Sequence, residues 1–206
     1  MISEMGIAAS LLLLTVVSVI PGDLPFSRWF TAHDHGIEVQ IARMPEGPPW
    51  LRGVAEVSAP AGRVFALLAD FRRYPRLFGP PLEKARVLEE AGSGARVHLV
   101  WRTSSPTLRR DAVALYRAER LTDGAFVVSW DSDARAGDPR EGSRITRFSG
   151  ETRVEPVGES RSRVSYTFLG ELDSRLPQEA REKQWRQQPV LYIRALRRGL
   201  RLPDPP

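Results

Sequence analysis

Residues 57–90, VSAPAGRVFALLADFRRYPRLFGPPLEKARVLEE, decide the fold. The stretch opens as a strand that stops near Pro60, because proline has no N–H to give to a β-ladder. That missing N–H costs nothing at the start of a helix. Beyond it, Val64, Phe65, Leu67, Leu68 and Phe71 recur at the spacing of one helical face. Arg63, Asp70, Arg72 and Arg73 take the wet side. Pro75 is expected to end this helix, since the residue before a proline avoids the helical region. Residues 76–79 can add one further turn. Pro80-Pro81 then forces an extended exit into a strand over residues 82–90. The unit is therefore strand, short amphipathic helix, aromatic–proline break, strand.

Strands flank this unit on both sides. Ile37, Val39 and Ile41 alternate with Glu38 and Gln40, the pattern of a half-buried strand. A proline-rich turn at 45–49 leads into a second strand over 50–58. Downstream, Val97, Leu99 and Trp101 share one face of a strand, with Arg96, His98 and Arg102 on the other, where His98 is expected to be solvated. Residues 109–120 are extended, with ambiguous faces. Asp123-Gly124 is a hairpin signal, and Phe126, Val128 and Trp130 share a face after it. A polar loop at 132–143, a long strand at 144–156 and a strand carrying Val164, Tyr166, Phe168 and Leu172 follow. From Pro177 a helix runs to the end. It has Trp185, Tyr192, Leu196 and Leu200 near one stripe, Ile193 beside it, and a kink expected at Pro189.

This order is α+β, with a predominantly antiparallel sheet. Such a sheet has one dry face, and the last helix has the apolar stripe to cover it. Residues 33–202 read as one domain and 203–206 as a tail.

The chain carries +5 net charge, with Lys84 and Lys183 its only lysines. Its arginines are interleaved with Asp and Glu, as on the solvated surface of a protein from an arginine-rich genome. The aromatics side with the apolar faces and not with the basic ones, which argues against a nucleic-acid partner. There is no cysteine, so disulfides, thiolate nucleophiles and cysteine-based metal sites are excluded. Residues 6–20 form an uncharged run, shorter than the roughly 20 residues that span a bilayer and suited to the core of an export signal. The first five residues, MISEM, carry no Lys or Arg, and no A-x-A site follows. The expectation is that residues 1–32 are a signal peptide or membrane anchor plus linker, placing the domain in the periplasm or tethered to the membrane.

The segments GVAEVSAPAGRVFALLADFRRYPRLFGPPLEKARVLEEAGSGARVHLVW, RRDAV, DGAFVVSWDS, SRVSYTFLGELDSRLP and RQQPVLYIRALRRGL cover most of residues 50–200. In order and spacing they resemble the START (steroidogenic-acute-regulatory-related lipid transfer) domains of the superfamily that includes polyketide cyclases. The resemblance implies a helix-grip fold, a curved antiparallel sheet wrapped around a long C-terminal helix. It also implies a cavity between the two for a lipid or other hydrophobic small molecule. Residues 60–81 would then rim one end of that cavity. Two features depart from the family: its D-R-D beside the fifth strand is Arg109-Arg110-Asp111 here, and the loop at 104–107, SSPT, is short and polar where lipid-transfer members carry a longer apolar lid.

An apolar guest needs an apolar wall with a few polar groups to orient it. The candidate wall is Trp101, Tyr116, Trp130, Phe148, Tyr166 and Phe168 from strands, with Tyr192 and Leu196 from the helix. Arg110 and Asp111 are a candidate pair near the guest's polar end, although successive strand residues point to opposite faces, so at most one of them faces inward. His33-x-His35 lacks a third ligand, and no metal or cofactor is expected. Glu89-Glu90 point oppositely on a strand and cannot act as an acid/base pair. No phosphate loop or G-x-S-x-G elbow is present. The reading is a monomeric, non-enzymatic binding module, with an anionic membrane surface as a further partner through the arginines of the last helix. The alternative is a cyclase/aromatase-like enzyme on the same fold.

Overall fold

The computed structural model describes residues 20–32, 35–92, 94–102, 109–171 and 177–201. Three strands come first: β1 (Ser27–Ala32), β2 (Ile37–Ala42) and β3 (Trp50–Val57). Two short helices, α1 (Ala61–Ala69) and α2 (Tyr74–Phe78), follow. Next are β4 (Leu82–Ala91), β5 (Gly94–Arg102), β6 (Arg109–Arg120), β7 (Phe126–Ser132), β8 (Ser143–Arg144), β9 (Phe148–Pro156) and β10 (Ser162–Gly170). The long helix α3 (Gln178–Gly199) closes the domain. The sheet order is β1-β2-β3-β10-β9-β7-β6-β5-β4, with β8 parallel on β6. All other neighbours are antiparallel. This curved sheet around a long terminal helix is the helix-grip architecture. The sheet takes in residues 27–32, N-terminal to the boundary at 33 that the sequence pattern suggests.

The deciding stretch folds nearly as its pattern implies, with one correction. Pro60 is the N-cap of α1, and Val64 and Leu68 are fully buried. The helix, however, stops at Ala69. A 3-10 turn over Phe71–Arg73 follows, and Pro75 lies in the first turn of α2 instead of ending α1. Proline is tolerated there because a first-turn N–H has no intrahelical acceptor to lose. The expected strand over 144–156 is likewise interrupted: β8 ends at Arg144, and β9 begins at Phe148.

α3 is continuous through Pro189. It lies close to the sheet because Gly53 on β3 has no side chain: a Cβ there would sit 2.6 Å from Pro189 Cβ and 3.2 Å from Ile193 Cδ1. Arg197 fixes the far end, donating from Nη1 to His35 O at 2.6 Å and from Nη2 to Glu56 O at 2.8 Å. Gly53→Ala is accordingly expected to destabilise the fold by about 1–3 kcal/mol through overpacking, read as a lower urea midpoint. A change of a few tenths would mean that α3 does not rest on β3 this closely.

Candidate functional site

Register across the sheet places the interior side chains in rows. Tyr116 (β6) pairs with Trp130 (β7), which opposes Gly150 (β9). Gly150 opposes Phe168 (β10), and Phe168 opposes Leu51 (β3). Three rows further along β5 and β6, Trp101 pairs with Arg110. A Cβ at Gly150 would lie 2.5 Å from Trp130 Cζ2, so this glycine gives the indole its space.

The rings meet as a ladder. Trp130 stacks between Tyr116 and Tyr166, each 5.8 Å away centroid to centroid at 23°. Tyr166 stacks on Tyr192 of α3 at 3.6 Å and on Phe168 at 4.9 Å. Trp101 meets Phe148 edge to face at 5.4 Å, and Leu196 is fully buried in the same core. The structure thus brings together the proposed wall residues, in contact with one another.

Three contributors were missed in the sequence. Phe78 of α2 stacks on Tyr192 at 4.8 Å. Tyr74 faces Tyr116 at 5.8 Å and donates its hydroxyl to Leu68 O at 2.8 Å. Thr152 Oγ1 lies 2.7 Å from Tyr192 OH. All four tyrosines of the chain therefore gather between sheet and helices. The segment expected to rim the site pushes three rings into it, Phe71 at 5.0 Å from Tyr116 together with Tyr74 and Phe78, and the aromatic residues around Pro75 were the available signal.

Burial holds these phenols protonated. It raises Tyr116, Tyr166 and Tyr74 well above the ordinary tyrosine range, and their proximity to one another adds to the effect. It raises Tyr192 as well, against the opposing hydrogen bond from Thr152. The Trp130 indole N–H is buried and has no acceptor among the described residues.

Arg110 and Asp111 do not form the expected pair. Arg110 lies on the interior face, donating from Nη1 to Glu171 O at 2.8 Å. Asp111 points through the other face and is excluded from the interior wall. The same face carries His98, which is fully buried and not solvated. Its Nε2 lies 3.0 Å from Asp111 Oδ2. That oxygen also accepts from the Glu141 backbone N–H at 3.0 Å and from Arg144 Nη2 at 3.2 Å. Alternation assigned His98 to the correct face. What it could not reveal is the cover, because the segment 133–147 folds back over that face of the sheet. His35 lies beside α3, His33 lies outside the described residues, and no group of three metal-ligating side chains occurs among the described residues.

The covering segment is pinned by charge. Arg96, 8% exposed, donates to Asp133 Oδ2 at 2.8 Å and to both carboxylate oxygens of Asp138. Burial pushes the Asp138 carboxyl up, but the Arg135 backbone N–H and the Arg96 guanidinium outweigh it and hold the group below its ordinary value. Glu141 is held low chiefly by Lys84. A carboxyl with a depressed folded pKa contributes stability that is complete above its unfolded value and lost as pH falls through the folded one. The segment 133–147 should therefore loosen as pH drops below about 4, while remaining pinned at neutral pH. Amide exchange measured against pH checks this: protection in 133–147 should fall before that of β5 and β6, and simultaneous loss would contradict it.

An open groove of about 800 Å³ lies on the outer side of α3, lined by Phe30, Ala32, Val190, Leu191 and charged residues of the helix.

Residues 57–188 match the family described as polyketide cyclase / dehydrase and lipid transport. StAR-related lipid transfer protein 8 of Mus musculus and of Homo sapiens is 30% identical over 146 residues, 68% of this chain. The chain spans only 14% of those proteins' length. Among solved structures, a STAR-related lipid transfer protein fragment from Xanthomonas axonopodis superposes with a TM-score of 0.74 at 24% identity, covering 85% of this chain and 98% of that one. The human StarD13 lipid transfer and protein localization domain gives 0.71 at 16% identity, covering 82% and 86%. The Zhui aromatase/cyclase from Streptomyces gives 0.50 at 22% identity, covering 71% and 90%.

Proposed function

Because this chain belongs to the polyketide cyclase / dehydrase and lipid transport family as a START-type domain, we propose that it binds a hydrophobic small molecule or lipid among the rings between the sheet and α3. The observation that carries this reading is the buried indole N–H of Trp130, unpartnered among the described residues, inside a ring cage in which it contacts Tyr116, Phe148 and Tyr166. A buried donor left unpaired costs about 1–3 kcal/mol. A guest with one acceptor oxygen would relieve that cost while its apolar body replaces ring–ring contacts with ring–guest contacts. The exchange leaves the protein's own burial nearly unchanged. The net gain is the guest's apolar surface leaving water, roughly 25 cal/mol per Å².

Catalysis is the weaker reading. The interior phenols are held protonated, so none is a general base at neutral pH. The two described histidines lie outside the ring cage. We further propose that residues 6–20 deliver the domain to the membrane or across it. No described helix is long and apolar enough to cross a membrane.

Native mass spectrometry of the chain purified from a host with intact membranes, followed by solvent extraction, tests the binding reading. One hydrophobic molecule per chain is the expected result. A protein that neither retains nor takes up any member of a panel of sterols, phospholipids, fatty acids and aromatic polyketides would overturn it.

A further inference from the structure

The positive charge of this protein is concentrated on one element. Residues 178–201 carry seven Lys and Arg against two Glu, a net +5, and the whole chain also carries +5. The remainder is therefore neutral overall. Surface arginines elsewhere are largely paired, for example Arg28 with Glu38, Arg72 with Glu90, Arg109 with Glu83 and Arg161 with Glu56. Lys183, Arg186, Arg198 and Arg201 make no ion pair among the described residues. The helix macrodipole favours cations in the last turn, which accounts for Arg197 and Arg198. It does not account for Lys183 and Arg186, which lie in the first half of α3.

These cations form a stripe with an apolar centre. Lys183, Arg186, Leu191 and Arg194 line the outer groove with Phe30 of β1; Glu179 and Glu182 border it at the start of the helix, Glu182 being taken up by Arg43. Arg198, outside the groove, follows Arg194 one helical turn on. Leu191 is 46% exposed, the most exposed large hydrophobic side chain among the described residues. Beside them the Arg186 guanidinium lies 4.7 Å from the half-buried Trp29 ring. Cations flanking an exposed leucine and a partly exposed tryptophan match the layered chemistry of a bilayer interface, with phosphates outside and acyl chains beneath. A second copy of the chain would bring the same sign of charge to the contact.

We propose that the outward stripe of α3, together with the edge strand β1, is a docking surface for an anionic bilayer. The surface lies on the far side of α3 from the ring cage. Its validity is therefore independent of what the cage binds.

The test is co-sedimentation of the full chain with vesicles of phosphatidylcholine alone and with vesicles containing about one-third phosphatidylglycerol. Comparing the two compositions removes any contribution of residues 6–20 that is indifferent to lipid charge. The chain should prefer the anionic vesicles, and salt near 1 M, where the screening length is about 3 Å, should abolish the preference. Each cation near an anionic surface contributes roughly fivefold in affinity, so K183Q/R186Q/R198Q should bind these vesicles on the order of a hundredfold more weakly. All three positions are exposed, and an unchanged thermal midpoint verifies that the variant is folded. As a second variant, Leu191→Ser should weaken binding by roughly fivefold through loss of the inserted side chain. Three outcomes would overturn the proposal: no preference for anionic vesicles, a triple variant that binds them as the parent does, or tighter binding to duplex DNA than to the vesicles at the same salt. Ligand retention in the mass-spectrometric experiment should be the same in the variants and the parent.

Discussion

Asp111→Ala is expected to lower the unfolding free energy by about 3–5 kcal/mol, among the largest effects of any single side chain in this domain. Asp111 Oδ2 is the shared acceptor for His98, Arg144 and the Glu141 backbone N–H, and Asp111 and His98 are both fully buried. Removing the carboxylate deprives the Arg144 guanidinium, only 11% exposed, of its direct ion-pair partner, leaving only the more distant Asp138 charge. Breaking one partner of a buried ionic cluster costs far more than the cluster itself contributes, because the surviving charge stays desolvated. The measurement is urea unfolding at neutral pH. Asp111→Asn, which preserves the shape and one acceptor, should cost markedly less. A loss under about 1 kcal/mol for the alanine variant would mean that water already reaches this face of the sheet and that the segment 133–147 does not seal it.

Trp130→Ala should cost about 3–5 kcal/mol, as expected when a large buried ring is deleted. The indole contacts Tyr116, Phe148 and Tyr166 and fills the space that Gly150 leaves open, so its loss leaves a void at the centre of the ladder. Trp130→Phe separates packing from polarity. It keeps a ring in the stack and deletes the unpartnered N–H, so stability should change little, by roughly 1 kcal/mol in either direction. Occupancy by a hydrophobic guest should nonetheless fall, because the proposed polar anchor is gone. Equal retention by the parent and Trp130→Phe, with Trp130→Ala strongly destabilised, would assign the indole to packing alone.

Much of this architecture was legible in the sequence because it rests on short-range periodicity. The alternation of Val164, Tyr166 and Phe168, and of Val97, Leu99 and Trp101, fixed which side chains face α3. The stripe of Trp185, Tyr192, Leu196 and Leu200 identified the covering helix. What alternation cannot show is what lies over the second face. His98 looked solvated because the residues that bury it come from a polar segment about 40 positions later, joined through ions and not through an apolar pattern. Tyr74 and Phe78 were missed for a related reason. Pro75 reads as a terminator from its neighbours alone, whereas the fold uses it to begin α2 and aim two rings inward. Thr152 and Gly150 are silent in any single-strand pattern. Their roles arise only when β9 is set in register with β7 and β10.

The four tyrosines allow the central claim to be tested with little background, since none of them lies on the surface. With fluorotyrosine incorporated, the fluorine NMR spectrum should show four resonances, each reporting on the space between the sheet and α3. Adding a hydrophobic ligand that the protein demonstrably retains should move the resonances of Tyr116, Tyr166 and Tyr192 together, because a guest must part the stacks they form. If all four resonances stay in place at full occupancy, the guest is bound elsewhere and the ring cage is only a core.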